Sequence, residues 1–283
     1  MGRFKRWAGY GLGGVAALAV AGTAFVWFGS ERALAAGEPA TPEHLVRPSP
    51  AMLANASRLA HVYACYDCHG DRLQGAKFFD QAGVATLWGP NLTRLAARSS
   101  DQQLAAAIRQ GIGTDGRALF GMPSHSYASF SDAEVATMIA AIRAEPVGGP
   151  ERPARSLGPL GRFGIATGKF NSAPVRRTAY LANPPADLGP QHAAGRAIAM
   201  HICADCHGSD LKGGEAGPDL KGPDLAIAGA YDLPGFTRLM RTGVPASGRE
   251  LRMMSGVSRT AFSHMTDAEI ASLHGYLVAL AQR

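Results

Sequence analysis

Cys65-Tyr66-Asp67-Cys68-His69 and Cys203-Ala204-Asp205-Cys206-His207 are two copies of one pattern, C-x-x-C-H, and each is followed by glycine. Two cysteines three positions apart lie on one face of a helical turn, where both thiols reach the two vinyl groups of a single porphyrin. The histidine that follows is carried beneath the iron. The pattern therefore predicts covalent haem attachment through Cys65, Cys68, Cys203 and Cys206, with His69 and His207 as proximal ligands. All four cysteines of the chain are consumed in this way. A four-cysteine zinc site has no need of the histidines, and a thioredoxin-like pair needs a strand–helix–strand setting that is missing around both copies.

Working outward from the first copy, Pro50 to Ala64 carries Leu53, Ala56, Leu59, Ala60 and Tyr63 at helical spacing and predicts a helix delivering Cys65. After His69 come Gly-Asp-Arg-Leu-Gln-Gly and a loop to Trp88-Gly89-Pro90-Asn91-Leu92. Ser100 to Gln103 is a capping-box pattern that opens a helix running to Gln110. Gly111, Gly113 and Gly116 then break the chain into a loop holding Met122-Pro123. Ser131 to Glu134 is a second capping box, opening a helix with Val135, Met138, Ile139 and Ile142 on one face. The same parts recur around the second copy. His192 to Ile202 leads into Cys203, and Asp232 to Arg241 answers the middle helix. Thr266 to Glu269 caps a last helix with Ile270, Leu273, Leu277 and Leu280 inward.

In this order of parts each unit resembles a class I cytochrome c. The resemblance implies an all-α fold, two tandem domains of that class, in which a helix ahead of C-x-x-C-H is crossed by a C-terminal helix. It implies a methionine before the last helix as sixth iron ligand, a position held by Met122. It also implies that Pro90 sets its carbonyl against the other ring nitrogen of His69, fixing the imidazole and raising its basicity. In the second unit two stretches answer Gly89-Pro90-Asn91-Leu92, namely Gly217-Pro218-Asp219-Leu220 and Gly222-Pro223-Asp224-Leu225. The second is better registered, which selects Pro223 to orient His207. Aligning Gly116 to Met122 on Gly248 to Met254 selects Met254 over the adjacent Met253 as ligand, although no proline follows Met254. His125 is the rival to Met122, with a surface position as its expected role. Met138 and Met265 are expected to pack.

Ala8 to Phe28 is free of charge, between Arg3, Lys5 and Arg6 on one side and Glu31 and Arg32 on the other. A spanning helix needs about 20 apolar residues, whereas a signal-peptide apolar region runs to about 15. The length favours an uncleaved anchor with its basic N-terminal flank in the cytoplasm. Ala33-Leu34-Ala35 resembles a cleavage site, so removal of residues 1–36 is the other reading. Both place the remainder on the periplasmic side of a bacterial inner membrane, anchored or soluble, as c-type attachment requires. The expected organisation is an anchor or signal over 1–30, a tether over 31–49 and a first haem domain over 50–145. A connection over 146–189 and a second haem domain over 190–283 complete it. The connection is rich in proline and glycine, yet Leu160, Phe163, Ile165 and Phe170 make it too apolar for a free tether.

The formal charge is +6, and three of the basic residues precede the apolar run, so the remainder carries +3. Four propionates from two haems bring this near neutral. No basic cluster interleaved with aromatics points to nucleic acid. The resemblance implies two covalent haem c groups and single-electron transfer, not catalysis. The expected partners are redox proteins: a periplasmic dehydrogenase, a quinol-oxidising complex or a terminal oxidase. Two other classes compete. A peroxidase-like dihaem enzyme needs an open sixth position, against which Met122 and Met254 argue. A gas-binding sensor needs a displaceable methionine, and the Met253/Met254 pair makes the second haem its natural seat.

Overall fold

A computed structural model describes residues 2–37, 39–153, 155–217 and 220–283, with the side chains of 2–9, 12, 216 and 217 outside the description. The chain opens with α1 (Gly2–Ala35). Its stretch from Gly13 to Ala35 is long and apolar enough to cross a membrane. Val15, Leu18, Val20 and Phe25 on this helix are all exposed.

Helix formation ahead of the first C-x-x-C-H is interrupted. Instead of one helix from Pro50 to Ala64, the chain forms α2 (Pro50–Ala54) and α3 (Ala56–Val62), broken at Asn55. The Asn55 amide donates back to the Ala51 carbonyl, the local competition that makes asparagine a poor interior helix residue. Ala64 then turns left-handed (φ 57°), and α4 (Cys65–His69) carries the motif. An antiparallel ribbon, β1 (Lys77–Gln81) and β2 (Ala85–Trp88), follows. Next come α5 (Leu92–Ala97) and α6 (Asp101–Ala105), the latter widening into π turns over Ala106–Gln110. After the glycine loop, α7 (Ser124–Tyr127) precedes α8 (Asp132–Ala144). The capping boxes at Ser100/Gln103 and Ser131/Glu134 are both formed.

The connection is more ordered than its composition implies. β3 (Ser156–Leu157) pairs with β2, and α9 (Pro159–Ala166) and α10 (Ala173–Ala182) are helices with proline in the first turn, where its missing N–H costs nothing. α9 packs along the end of α1, and α10 packs on α7.

A second run of elements repeats the first. α11 (Ala193–Ile198) continues as π turns through Cys203 into α12 (Ala204–His207), which carries the second motif. The ribbon β4 (Gly214–Gly217) and β5 (Leu220–Gly222) follows, then α13 (Leu233–Thr242), α14 (Met253–Thr260) and α15 (Asp267–Ala281). Thr266 and Glu269 form the capping box of α15. The small ribbons are the departure from a purely helical expectation. They arise because the chain leaving each histidine must double back to lie beside it.

Apolar side chains gather in two cores. One is built from α3, α6, α8 and the Tyr127–Phe130 turn, the other from α13, α15, Leu211 and Phe262. α3 packs on α8, and α11 on α15. The second crossing is close enough that a Cβ on Gly195 would sit 2.1 Å from the Ser272 carbonyl oxygen.

Candidate functional site

Each motif is locked by the same four devices. First, the Nδ1–H of His69 donates to the Pro90 carbonyl at 3.0 Å, and that of His207 to the Pro223 carbonyl at 2.8 Å. Second, the glycine before each proline lets the two segments touch: a Cβ on Gly89 would fall 2.0 Å from the Cys68 carbonyl oxygen, and one on Gly222 would fall 2.0 Å from that of Cys206. Third, Leu73 and Leu211 both adopt a left-handed backbone (φ 54° and 66°) while fully buried. An L-residue held there is strained, and persists because its neighbours over-determine it. Here the side chain is buried and the leucine carbonyls accept from Leu92 and Leu225. Fourth, the amides of Gly75 and Gly213 donate to the carbonyls of His69 and His207.

The donor set suits a covalently held porphyrin. With Nδ1 committed to a carbonyl, the tautomer is fixed and Nε2 is the free ligand nitrogen. Burial lowers the affinity of both imidazoles for protons, partly offset by the proline carbonyls, which favours the neutral ring that an iron ligand needs. None of the four cysteines is paired in a disulfide. Burial pushes Cys65 and Cys203 up to about 12, and Cys68 and Cys206 up to about 11. Among the described residues no group of three or more His, Cys, Asp or Glu side chains gathers to hold a bare metal ion.

Met122 is half-buried and packs on the first core, as does Cys65; Met254 packs on the second core, as does Cys203. Met253 is 49% exposed. Met138 and Met265 are buried core residues. Of the rival Gly217-Pro218-Asp219-Leu220 stretch, Pro218 and Asp219 lie outside the described residues.

His125 is not at the surface. It is buried, and its Nε2 lies 2.5 Å from Asp205 Oδ1, an oxygen that also accepts from Arg176 at 2.7 Å. Burial alone would raise the Asp205 carboxyl, but the His125 and Arg176 contacts outweigh it and hold it below its ordinary value. Asp67, the corresponding residue of the first motif, accepts from the Thr260 hydroxyl at 3.0 Å. Each motif thus reaches across to the methionine side of the other. Around these contacts His61 stacks between Tyr66 (3.9 Å) and His264 (4.2 Å), and Arg58 makes a two-pronged bond to Glu269 at 2.9 and 3.1 Å. These bridging residues are not evident from helix periodicity. One signal was available: both motifs place aspartate just before their second cysteine.

Residues 192–281 match the family model for cytochrome c. The second unit is similar to cytochrome c, over less than half of the chain. A cytochrome c domain implies covalently bound haem c and is typical of electron-transfer proteins. The matched segment begins at the helix leading into Cys203 and ends with α15, so it contains the second motif, Pro223 and Met254. The first motif lies outside the match. A search among curated proteins finds no match to the chain.

Proposed function

We propose that the chain is a dihaem cytochrome c, with a second haem domain around Cys65, Cys68 and His69, acting as a single-electron carrier on the periplasmic side of a membrane in which α1 anchors it. What supports the second domain is recurrence of backbone detail that motif matching does not require. Histidine-to-proline bond, glycine contact and buried left-handed leucine are the same in both units. The exposed apolar length of α1 supports the anchor.

Haem c supplies one-electron ferric–ferrous chemistry when bound. The chain's own residues set the conditions for it. Cys65, Cys68, Cys203 and Cys206 provide the attachment thiols. His69 and His207 present Nε2, oriented by Pro90 and Pro223. Met122 and Met254 are the sixth-ligand donors in this reading, and a thioether there raises the potential relative to a second nitrogen ligand. No side chain need give or take a proton in such a cycle. The contacts Asp67–Thr260 and Asp205–His125 draw the two motifs to one interface, which favours exchange between the sites. Redox proteins that donate and accept single electrons, such as a dehydrogenase or an oxidase, are the partners this reading calls for, and anchoring keeps them at high local concentration.

The test is a haem count on the purified chain. A pyridine haemochrome assay with a haem-stained denaturing gel is expected to give two covalent haems. Replacing Cys65 and Cys68 by alanine is expected to leave one, as is replacing Cys203 and Cys206. A count of one in the unaltered chain overturns the dihaem reading.

A further inference from the structure

The connection places a small apolar face beside the end of α1. α9 packs there through specific contacts: the Arg162 guanidinium lies 3.9 Å from the Trp27 ring centre and bonds Glu31 at 2.6 Å and Ser30 at 3.0 Å. Gly29 crosses Ala166 so closely that a Cβ on it would sit 3.2 Å from the alanine methyl. Ser30 and Leu34 of α1 are buried by this docking. At 1.5 Å per residue, the uncharged run from Ala8 to Phe28 spans about 30 Å, the thickness of a bilayer's hydrocarbon. The docking site at Gly29 to Glu31 therefore falls at the outer membrane–water boundary, with Trp27 in the zone that tryptophan prefers.

α9 has three faces. Gly161, Gly164 and Ile165 are buried; a Cβ on Gly161 would meet the Val84 carbonyl at 2.2 Å, so Gly161 lies against the first ribbon, while one on Gly164 would meet the Phe170 ring at 2.4 Å, so Phe170 folds back over α9. Arg162 and Ala166 face α1. Leu160 and Phe163, three residues apart and hence on one side, remain 62% and 47% exposed, and Phe170 in the following turn is 46% exposed. Among the described residues the exposed phenylalanines are Phe25 and Phe28 on α1 and Phe163 and Phe170 on the connection. All four thus cluster on α1 or on the segment docked to it.

We propose that Leu160, Phe163 and Phe170 form a membrane-surface face, inserted at the headgroup level beside α1, which fixes the tilt of the haem units over the bilayer. The occupant is lipid because α9, which carries Leu160 and Phe163, is docked through Arg162 and Ala166 to the part of α1 that leaves the hydrocarbon. An interfacial segment of this kind sinks its apolar side chains about 5–10 Å into the headgroup boundary. The inference rests on reading α1 as an uncleaved anchor, and the experiment separates the two.

A photoreactive phenylalanine analogue is introduced in the full-length holoprotein at Leu18, at Phe163 or at Val147, which is as exposed as Leu160 but lies beyond α8. Each variant is irradiated in vesicles of phosphatidylethanolamine and phosphatidylglycerol, and an unaltered haem spectrum verifies folding. Lipid adducts are expected at Leu18 and Phe163, with Phe163 about tenfold above Val147 given the depth difference. Adducts at Leu18 without adducts at Phe163 overturn the proposal and leave the anchor standing. Adducts at neither overturn both. Equal yields at Phe163 and Val147 also overturn it, because the contact would not be confined to α9.

Discussion

Adding one methyl group at Gly222 tests the mechanism by which the chain orients its proximal histidine. A Cβ there falls 2.0 Å from the Cys206 carbonyl oxygen and 2.7 Å from its carbon, against a floor of 3.0 Å for real Cβ contacts. The obstacle is backbone inside the motif, not the end of a flexible side chain, so the Gly222–Pro223 strand must move outward by about an ångström. Overpacking of this kind costs about 1–3 kcal/mol. The same displacement stretches the 2.8 Å bond from His207 to the Pro223 carbonyl, forfeiting about 1 kcal/mol more. Gly222→Ala is therefore expected to destabilise the second unit by about 2–4 kcal/mol. Gly275→Ala in α15 is the matched control, since nothing lies within 4 Å of its Cβ. It is expected to stabilise by about 0.5–1 kcal/mol through helix propensity alone. Thermal melts followed in the haem absorbance resolve the difference, at about 2–4 °C per kcal/mol for a chain of this size. A histidine freed from its carbonyl is also less basic, so the potential of that haem is expected to rise by tens of millivolts. If Gly222→Ala melts within about 1 °C of the unaltered protein with an unchanged potential, the glycine contact does not position His207 and the argument fails.

The sixth ligand of the second unit is tested by replacing Met254 and Met253 separately with alanine. Only Met254→Ala is expected to abolish the methionine–iron charge-transfer band of that haem, because Met253 is exposed while Met254 packs on the core that Cys203 also touches; loss of the band in Met253→Ala alone would reverse the assignment. The ion pair between Arg58 and Glu269 carries an acid sensitivity. Burial would raise the Glu269 carboxyl, but Arg58 and the Thr266 cap overcome it, and the folded value lies below the ordinary one. Its stabilisation is complete above the usual carboxylate range and is lost as pH falls through the folded value. Arg58→Ala is expected to lower stability by about 1 kcal/mol at pH 7, as for a partly buried two-pronged pair. It should also flatten the dependence of the melting temperature on pH below about 4, and an unchanged acid limb would contradict this.

What could be read from sequence follows the range over which each constraint acts. The motif residues, the capping boxes at Ser100, Ser131 and Thr266 and the stripes of α8 and α15 are local patterns. The break at Asn55 is also local, but it pits one side chain against a good hydrophobic period and is lost in the average. The left-handed Leu73 and Leu211 carry no local sign, because leucine is a poor residue for that backbone; only burial and the bonds from Leu92 and Leu225 hold them. α9 and α10 were hidden for a different reason. Each is short, has proline in its first turn and buries a narrow stripe against elements distant in sequence, so neither shows a clean period.

The interface between the two units is the part that sequence conceals most. Its members are drawn from the variable positions of the two motifs, the turn after Met122, the end of α14 and the connection. The contacts have an approximate two-fold character: Asp205 reaches the turn that follows Met122, and Asp67 reaches the helix that begins at Met253. They are not equivalent in strength. Asp205 joins a buried imidazole and a guanidinium, whereas Asp67 holds one hydroxyl. Both carboxylates accept charge-assisted bonds, but Asp205 takes two, one of them from a guanidinium, against the single hydroxyl bond to Asp67. The segment carrying Met122 is therefore tied to the second motif more firmly than the segment carrying Met254 is tied to the first. In a dihaem carrier this asymmetry would leave the second methionine the easier of the two to displace, so the second haem is where an exogenous ligand should bind first.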